Sequence, residues 1–415
     1  MAVVRPFKAI RPTPDLARKV AALPYDVMSS DEAREMSDGN PYTFLHVDKA
    51  EIDLDKQIDL YDPQVYEQAS KNLNQMIADG IFSQENSACL YIYRQVMDGR
   101  PQTGLVGCTS IDDYLANAIK KHELTRADKE QDRIRHVDIC DANTGPIFLT
   151  YRAQAAINNR VNQWMEQHDA VYDFISDDGI GHTVWIIDDP AVIAALTDAF
   201  ARVESLYIAD GHHRSASAVQ VGLKRREQFP DYDGNEEFNF FLSVLFPDEQ
   251  LYIMDYNRVV RDLNGLTVTD FLERVKERFL VQEHLGKEPF KPEQKHTFGM
   301  YLHAKWYKLT AKEGSYDPKD PVGRLDVSIM QNNLLQPILG IEDPRKDKRI
   351  DFIGGIRGLR ELEKRVTSGM KVAFSLYPTT VEDLMSIADA GAIMPPKSTW
   401  FEPKLRSGIF IHALK

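Results

Sequence analysis

Leu206-Tyr-Ile-Ala-Asp-Gly-His-His-Arg-Ser-Ala-Ser-Ala-Val219 is the stretch on which the reading of this chain turns. Leu206 to Ala209 is an apolar run of the length of a short buried strand. Asp210-Gly211 is a turn signal, and a helical pattern follows from about Arg214 to Arg226. A strand, a tight glycine turn and a helix N-terminus in succession make an anion site. The first N–H groups of a helix have no partner within it, and the helix dipole favours negative charge there. Gly211 lets the backbone approach a ligand closely. Ser215 and Ser217 add hydroxyl donors, and Arg214 adds a planar fork suited to phosphate. Asp210, His212 and His213 add groups able to hold a cation or move a proton. A plainer reading stands beside this one: Asp-Gly before polar residues is common at strand–helix turns, and two histidines can simply cap such a turn.

The chain has 415 residues, enough for two or three domains. Its 43% hydrophobic and 27% charged content is that of a globular protein. A net charge of −13 and a pI of about 5.4 argue against a large nucleic-acid footprint or an anionic membrane surface, while leaving room for a local basic site. The N-terminus, MAVVRPFKAIRPTPDL, lacks the apolar core of a signal peptide, and no apolar run reaches the length of a membrane span. Cys89, Cys108 and Cys140 are odd in number and widely spaced, which fits reduced thiols better than a disulfide framework or a zinc site. A cytoplasmic protein is expected, with no nucleic-acid or membrane partner; oligomeric state is left open.

Outward from the opening stretch, the pattern alternates. Residues 65–81 carry helical spacing closed by Gly80. Ala88–Val96 and Gly104–Ile111 flank Asp98-Gly99 as a hairpin. Thr125 with Asp128 suggests a capping box, placing His122 and Glu123 on the loop that enters a helix, where a carboxylate is well placed to act as a base. A helix near Ala153–Gln167, a strand Thr183–Ile187 and a helix Pro190–Val203 follow. Phe240–Phe246 and Leu251–Met254 suggest another hairpin. The character changes near residue 262: a helix Thr267–Phe279, a hairpin Thr297–His303 with Trp306–Leu309, an apolar helix Ser328–Leu339, strands Asp351–Gly355 and Lys371–Tyr377, and a helix Thr380–Ala390. Two prolines in Met394-Pro-Pro-Lys-Ser-Thr399 then present Lys397, Ser398 and Thr399 on extended backbone. Pro24-Tyr25-Asp26 reads equally as a site-lining or a structural loop.

Three stretches carry a resemblance. Ile208-Ala-Asp-Gly-His-His-Arg-Ser-Ala-Ser-Ala resembles the phosphate-binding turn of the ParB/sulfiredoxin superfamily. Lys120-Lys-His-Glu-Leu-Thr with Lys129-Glu130 and Asp132-Arg133, together with Met394-Pro-Pro-Lys-Ser-Thr, resembles the domain of unknown function 1015 (DUF1015) family, over Pro6 to Leu414. The resemblance extends to one branch of the superfamily, the archaeal free-serine kinases. It implies Glu123 as catalytic base and His122-Glu123, Asp210–Arg214 and Pro396–Thr399 as the matching positions. Trp400 and Phe401 stand where that branch has basic residues that hold the serine carboxylate, which argues against serine itself.

The expected fold class is mixed α+β and α/β: a ParB/sulfiredoxin-like nucleotide-binding core with large insertions over residues 1–262, and a C-terminal α/β domain over 263–415 that contributes to the acceptor site. The expected function is a nucleotide-dependent phosphotransferase acting on the hydroxyl of a small metabolite. ATP or ADP would be the donor, with CTP a further candidate, and Mg²⁺ would be held by Asp210. Glu123, Asp210, His212 and His213 would be catalytic. Gly211, Arg214, Ser215 and Ser217 would bind phosphate, and Lys397, Ser398, Thr399, Tyr25 and Asp26 the acceptor. Two alternatives are a CTP- or ATP-binding switch without phosphotransfer, and a metal-dependent hydrolase using Asp210, His212 and His213, which would need further ligands, with His122 and Glu123 the nearby candidates.

Overall fold

Asp98 and Gly99 both have positive φ (51° and 76°), the mark of a two-residue hairpin turn whose twist matches its strands. The hairpin they close is the middle of a nine-stranded sheet. The computed structural model describes residues 2–415 and divides into two units, Met1–Leu251 with Pro403–Lys415, and Tyr252–Glu402. The domain boundary expected at 262 therefore lies near 251, and the last residues of the chain belong with the first unit, not with the second.

The sheet of the first unit is built from β1 (Val4–Arg5), β2 (Leu90–Met97), β3 (Arg100–Ser110), β4 (Ile119–Lys120), β5 (Ile147–Tyr151), β6 (Tyr172–Ile175), β7 (Gly181–Ile187), β8 (Leu206–Asp210) and β9 (Phe240–Pro247). Its spatial order is β4-β8-β5-β9-β3-β2-β7-β6, with β1 added on β3. The pairs β4–β8 and β5–β9 are parallel; the other pairs are antiparallel. The unit's longer helices are α1 (Pro63–Ala78), α2 (Ala127–Cys140), α3 (Ala155–Gln167), α4 (Pro190–Phe200) and α5 (His212–Gln228). Asp62 and Asp189 cap α1 and α4, each followed by proline at the first turn, where its missing N–H costs nothing. Trp164, Leu196 and Phe200 from α3 and α4 pack with Leu90, Ile92, Leu149 and Phe241 from the sheet in one buried cluster. A second cluster joins Val20, Phe44, Leu73 and Phe82 to Ile411 from the end of the chain.

The second unit holds a six-stranded antiparallel sheet: β10 (Tyr256–Val260), β11 (Phe279–His284), β12 (Thr297–Leu302), β13 (Lys305–Ala311), β14 (Ile350–Gly354) and β15 (Val372–Leu376), in the order β11-β13-β12-β15-β10-β14. Its helices include α6 (Val268–Arg278), α7 (Asp326–Met330), α8 (Arg360–Thr367) and α9 (Val381–Asp389). Thr380 and Asp383 form a reciprocal capping box on α9.

Three sequence expectations change. The run Ser328–Leu339 is not one α-helix: α7 passes into a π-helical turn, Gln331–Leu335. Phe240–Phe246 and Leu251–Met254 do not form a hairpin, because β9 joins the first unit's sheet while Ile253–Met254 pairs with Trp400–Phe401. Thr125 is not a capping-box residue. Helix α2 starts one position later, at Ala127, and the Thr125 hydroxyl donates to Glu130 Oε2 at 2.5 Å. The three cysteines are free thiols, and no helix among the described residues is long and apolar enough to cross a membrane.

Helix α5 is pressed closely against its surroundings at Gly222. A Cβ there would lie 2.5 Å from the Phe238 carbonyl oxygen and 2.7 Å from Ile111 Cδ1. Gly→Ala inside a helix ordinarily stabilises by about 1 kcal/mol. Here the collision reverses the sign: Gly222→Ala lowers stability by about 1–3 kcal/mol, measured as a drop in the urea midpoint at unchanged m-value.

Candidate functional site

Strands β4 and β8 are parallel neighbours, with Ile119 opposite Leu206 and Lys120 opposite Tyr207. Their carboxyl ends therefore lie side by side, the position at which open α/β sheets hold ligands. Beyond β4 the chain runs through Lys121, His122 and Glu123 into α2. Beyond β8 it turns at Gly211 into α5.

The turn is set by backbone chemistry. Gly211 has φ 95°, a conformation that side chains rarely adopt, and it stands as the N-cap residue of α5 with no side-chain cap. Asp210 Oδ1 accepts the Gly211 N–H at 2.8 Å, and Asp210 Oδ2 receives the Lys404 ammonium at 2.9 Å. Against the opposing effect of its burial, Lys404 and Arg214 together hold the Asp210 carboxyl well below the usual range. Both oxygens of Asp210, the expected Mg²⁺ ligand, are thus engaged. Its present role is to fix the turn, and the geometry does not fit Mg²⁺ held on Asp210 alone. Arg214 curls back over the turn: a Cβ on Gly211 would sit 3.2 Å from its Nε and 3.3 Å from its Cζ. Its Nη1 donates to the Pro146 carbonyl.

The two serines expected to reach phosphate face inward. The Ser215 hydroxyl donates to the Gly211 carbonyl at 3.0 Å, and the Ser217 hydroxyl to the His213 carbonyl at 2.6 Å. Both residues are fully buried. Their hydroxyls are spent on carbonyls four residues back in the helix, the usual alternative for a mid-helix serine.

His212 and His213, adjacent in sequence, part company because successive helix positions lie about 100° apart. His213 Nε2 accepts the Arg126 N–H at 3.1 Å. His212 turns inward to meet His122 edge to face, with ring centroids 4.4 Å apart and planes at 84°. Ligand atoms of His122, Glu123 and His212 all lie within 4.8 Å of one another. Both imidazoles are buried, and His122 Nδ1, His122 Nε2 and His212 Nε2 have no hydrogen-bond partner of good geometry. Burial pushes the His122 ring down to about 4, although the Asp210 charge and the nearby Ile208 carbonyl pull the other way. Burial, with His122 alongside, also lowers His212 well below its ordinary value. Both rings are therefore neutral at pH 7, each with a lone pair to offer a cation.

Tyr25 lines a cavity of about 20 Å³ with Arg133, His136, Asp48 and Arg214, room for a single water. Its ring lies 4.1 Å from the Arg133 guanidinium carbon. Asp26 is exposed. Arg133 is held by Asp132 at 3.0 Å, and Asp132 also receives the Tyr66 hydroxyl at 3.0 Å. No periodicity in this part of α2 marks Asp132 and Arg133 as buried. Lys404 was likewise missed, lying in a stretch without helical or strand pattern.

Lys397, Ser398 and Thr399 belong to the second unit. Lys397 is exposed, has φ 58°, and sets its ammonium 5.6 Å from the Tyr256 ring centre. Ser398 is buried; its hydroxyl donates to the Pro395 carbonyl at 2.6 Å, and its own carbonyl accepts Thr379 Oγ1 at 2.9 Å. Trp400, unexpected at an acceptor site, packs edge-on to Tyr256 and covers Gly354.

The chain belongs to the family described as protein of unknown function (DUF1015), whose sequence profile matches residues 4–328. No curated protein matches it. Among solved structures it is similar to a conserved hypothetical protein from Pyrococcus furiosus (17% identity, 73% of this chain and 93% of that one, TM-score 0.35). It is also similar to a free serine kinase in complex with AMP (14%, 70% and 85%, 0.34) and to C-terminally truncated SbnI from Staphylococcus aureus (11%, 72% and 82%, 0.38). Likeness this coarse says nothing about the chemistry of the site.

A buried histidine with a lowered pKa makes stability depend on pH. Unfolding releases the ring to its ordinary value of 6.5, so the unfolded state binds the proton first as pH falls. The stability tied to a neutral His122 is complete above pH 6.5 and is lost progressively towards pH 4. For this ring alone the loss is about 3 kcal/mol. In urea titrations from pH 7 to pH 4, His122→Asn is expected to flatten the fall in stability by that order; an unchanged slope would show that the ring is not held neutral.

Proposed function

We propose that the first unit is a nucleotide-dependent phosphotransferase site acting on the hydroxyl of a small metabolite, on a ParB/sulfiredoxin-like turn. One juxtaposition supports it: an uncapped helix N-terminus behind Gly211, with Arg214 folded over it, stands at the end of β8, and Glu123 lies within 4.8 Å of the His212 that opens that helix. Phosphoryl transfer asks little covalent chemistry of a protein beyond positioning, charge stabilisation and a base.

In this reading the N-terminal N–H groups of α5 and the Arg214 fork bind phosphate oxygens of ATP or ADP, with CTP a further candidate. Neutral His122 and His212 donate N–H without adding charge. The acceptor hydroxyl oxygen bonds to the terminal phosphorus as the bond from that phosphorus to the bridging oxygen breaks, and the hydroxyl proton passes to Glu123. Mg²⁺, when bound with the nucleotide, supplies charge neutralisation on the phosphates. Asp210 orients the turn, and Tyr25 is assigned to the acceptor side.

A second reading is favoured by the His122–Glu123–His212 cluster. Two imidazoles and a carboxylate with a further position open is a ligand set suited to zinc-type ions, better than to Mg²⁺, and would serve a metal-dependent hydrolase. The readings exclude each other at Glu123, which is a base in one and a ligand in the other.

A thermal-shift series with ATP, ADP and CTP in Mg²⁺ tests both. The phosphotransferase reading expects one nucleotide to raise the Tm of the wild type by mass action, about 2.7 kcal/mol at a hundred times Kd. Arg214→Ala should lose the shift, while Glu123→Gln keeps it and loses transfer. Absence of any shift at millimolar nucleotide, with stoichiometric zinc in the purified protein that Glu123→Gln removes, would replace the first reading by the second.

A further inference from the structure

Arg258 occupies the middle of β10, a strand paired on both sides and buried along its whole length. The residue itself is 3% exposed. Its guanidinium donates to two neutral acceptors, the Tyr256 carbonyl and, at 2.9 Å, the Lys397 carbonyl. The Phe352 ring lies 5.4 Å from its central carbon. No carboxylate among the described residues pairs with it; burial lowers its pKa to about 10, and Tyr256 is the one ionisable neighbour that offsets this. The side chain is therefore still charged at neutral pH. Buried charges are ordinarily paired, because an uncompensated one costs several kcal/mol. Two carbonyls use two of the five guanidinium donors and cancel none of its charge.

Arg258 also lines a cavity of about 370 Å³ within the second unit, the size of a small-ligand site. Val327, Leu335, Phe352, Pro395 and Pro396 make most of its remaining wall apolar. The π-helical turn that begins at Gln331 forms one side, and such turns recur at functional sites. Gln331 Nε2 donates to the Ile341 and Glu342 carbonyls, at 2.8 and 3.3 Å, and so pins the loop at the rim. That rim carries Glu342 and an ion pair, Arg345 to Asp343 at 2.9 Å. A rim with one net negative charge disfavours a di- or triphosphate. A single buried guanidinium in an apolar pocket suits one planar anionic group on an apolar body.

We propose that the second unit binds a small organic monocarboxylate, its carboxylate received by the free donors of Arg258 and its apolar part by Leu335, Phe352 and Val327. The site uses none of the residues assigned to phosphate handling and stands whether or not that assignment holds.

The test is calorimetric binding to the full chain of propionate, isobutyrate and benzoate, with isobutyramide and benzamide as neutral controls and ADP as a polyanion. At least one carboxylate is expected to bind in the millimolar range or tighter, and its amide to bind at least about tenfold more weakly. Arg258→Met should abolish carboxylate binding. Because it removes an uncompensated buried charge, the variant should fold with little loss of Tm. Arg258→Lys keeps the charge and loses the fork, and is expected to weaken binding by about tenfold. Glu123→Gln should bind the carboxylate as the wild type does, which separates this site from the nucleotide site. Failure of every carboxylate to bind wild type would overturn the proposal. So would equal binding of acid and amide, or undiminished binding by Arg258→Lys.

Discussion

The contact between Lys404 and Asp210 is the point on which the first unit closes. It joins the end of β8 to a residue almost two hundred positions later. Once Asp210 is held as an anion, its other oxygen fixes the Gly211 N–H, and Gly211 is committed to the positive φ from which α5 departs. The same C-terminal segment continues through the unit. Arg406 meets Asp178, Ser407 bridges to Ala22, Ile411 to Ile10, and His412 to Asn143 and Glu237. Each of these contacts closes a very long loop, and loop-closure entropy is spent before such contacts reward it. The turn geometry is therefore a property of the completed unit and not of the local sequence alone.

That tie also decides the electrostatics beside it. Asp210 lies close enough to both His122 and His212 to favour their protonated forms. Its charge is already balanced by Lys404, so desolvation wins and both imidazoles stay neutral. A neutral pair with open nitrogens is ready either to donate to phosphate or to ligate a metal. A protonated pair would repel the metal and would form a fixed charge next to Glu123. The salt bridge behind the histidines thus leaves both chemistries open to them, and Glu123, as base or as ligand, is where the two part.

Much of this was legible in the sequence where a local rule governs. Asp-Gly between apolar runs gave β8 and the turn, Asp98-Gly99 gave the central hairpin, helical spacing closed by Gly80 gave α1, and a first-turn proline gave α4. Periodicity separates elements well but says nothing about partners far apart in the chain. Ser215 and Ser217 read as phosphate donors because hydroxyls follow a glycine turn; the structure spends them on carbonyls because α5 begins two residues earlier than its pattern suggested. Asp132 and Arg133 carry no local mark of burial, since that burial depends on Tyr25 and Tyr66, which come from loops and helices far away in the chain. The boundary near 251 escaped for a related reason: β9 and the strand after it look like a hairpin locally and join different sheets.

Two arginines show how differently a fold can carry a positive charge. Arg214 lies over a turn, beside an ionised Asp210 that offsets it, and any phosphate it gains must compete with that arrangement. Arg258 has no such neighbour and sits where water is scarce. Coulomb attraction grows as the local dielectric falls, so a single anionic group reaching the buried Arg258 would gain more than the same group at the half-buried Arg214. It would also lose more in shedding its own water, which favours an anion of diffuse charge with an apolar body over a phosphate. The second unit keeps a charge that a purely structural strand would have replaced with an aliphatic side chain, and that retained cost is the reason to look for what occupies the cavity beside it.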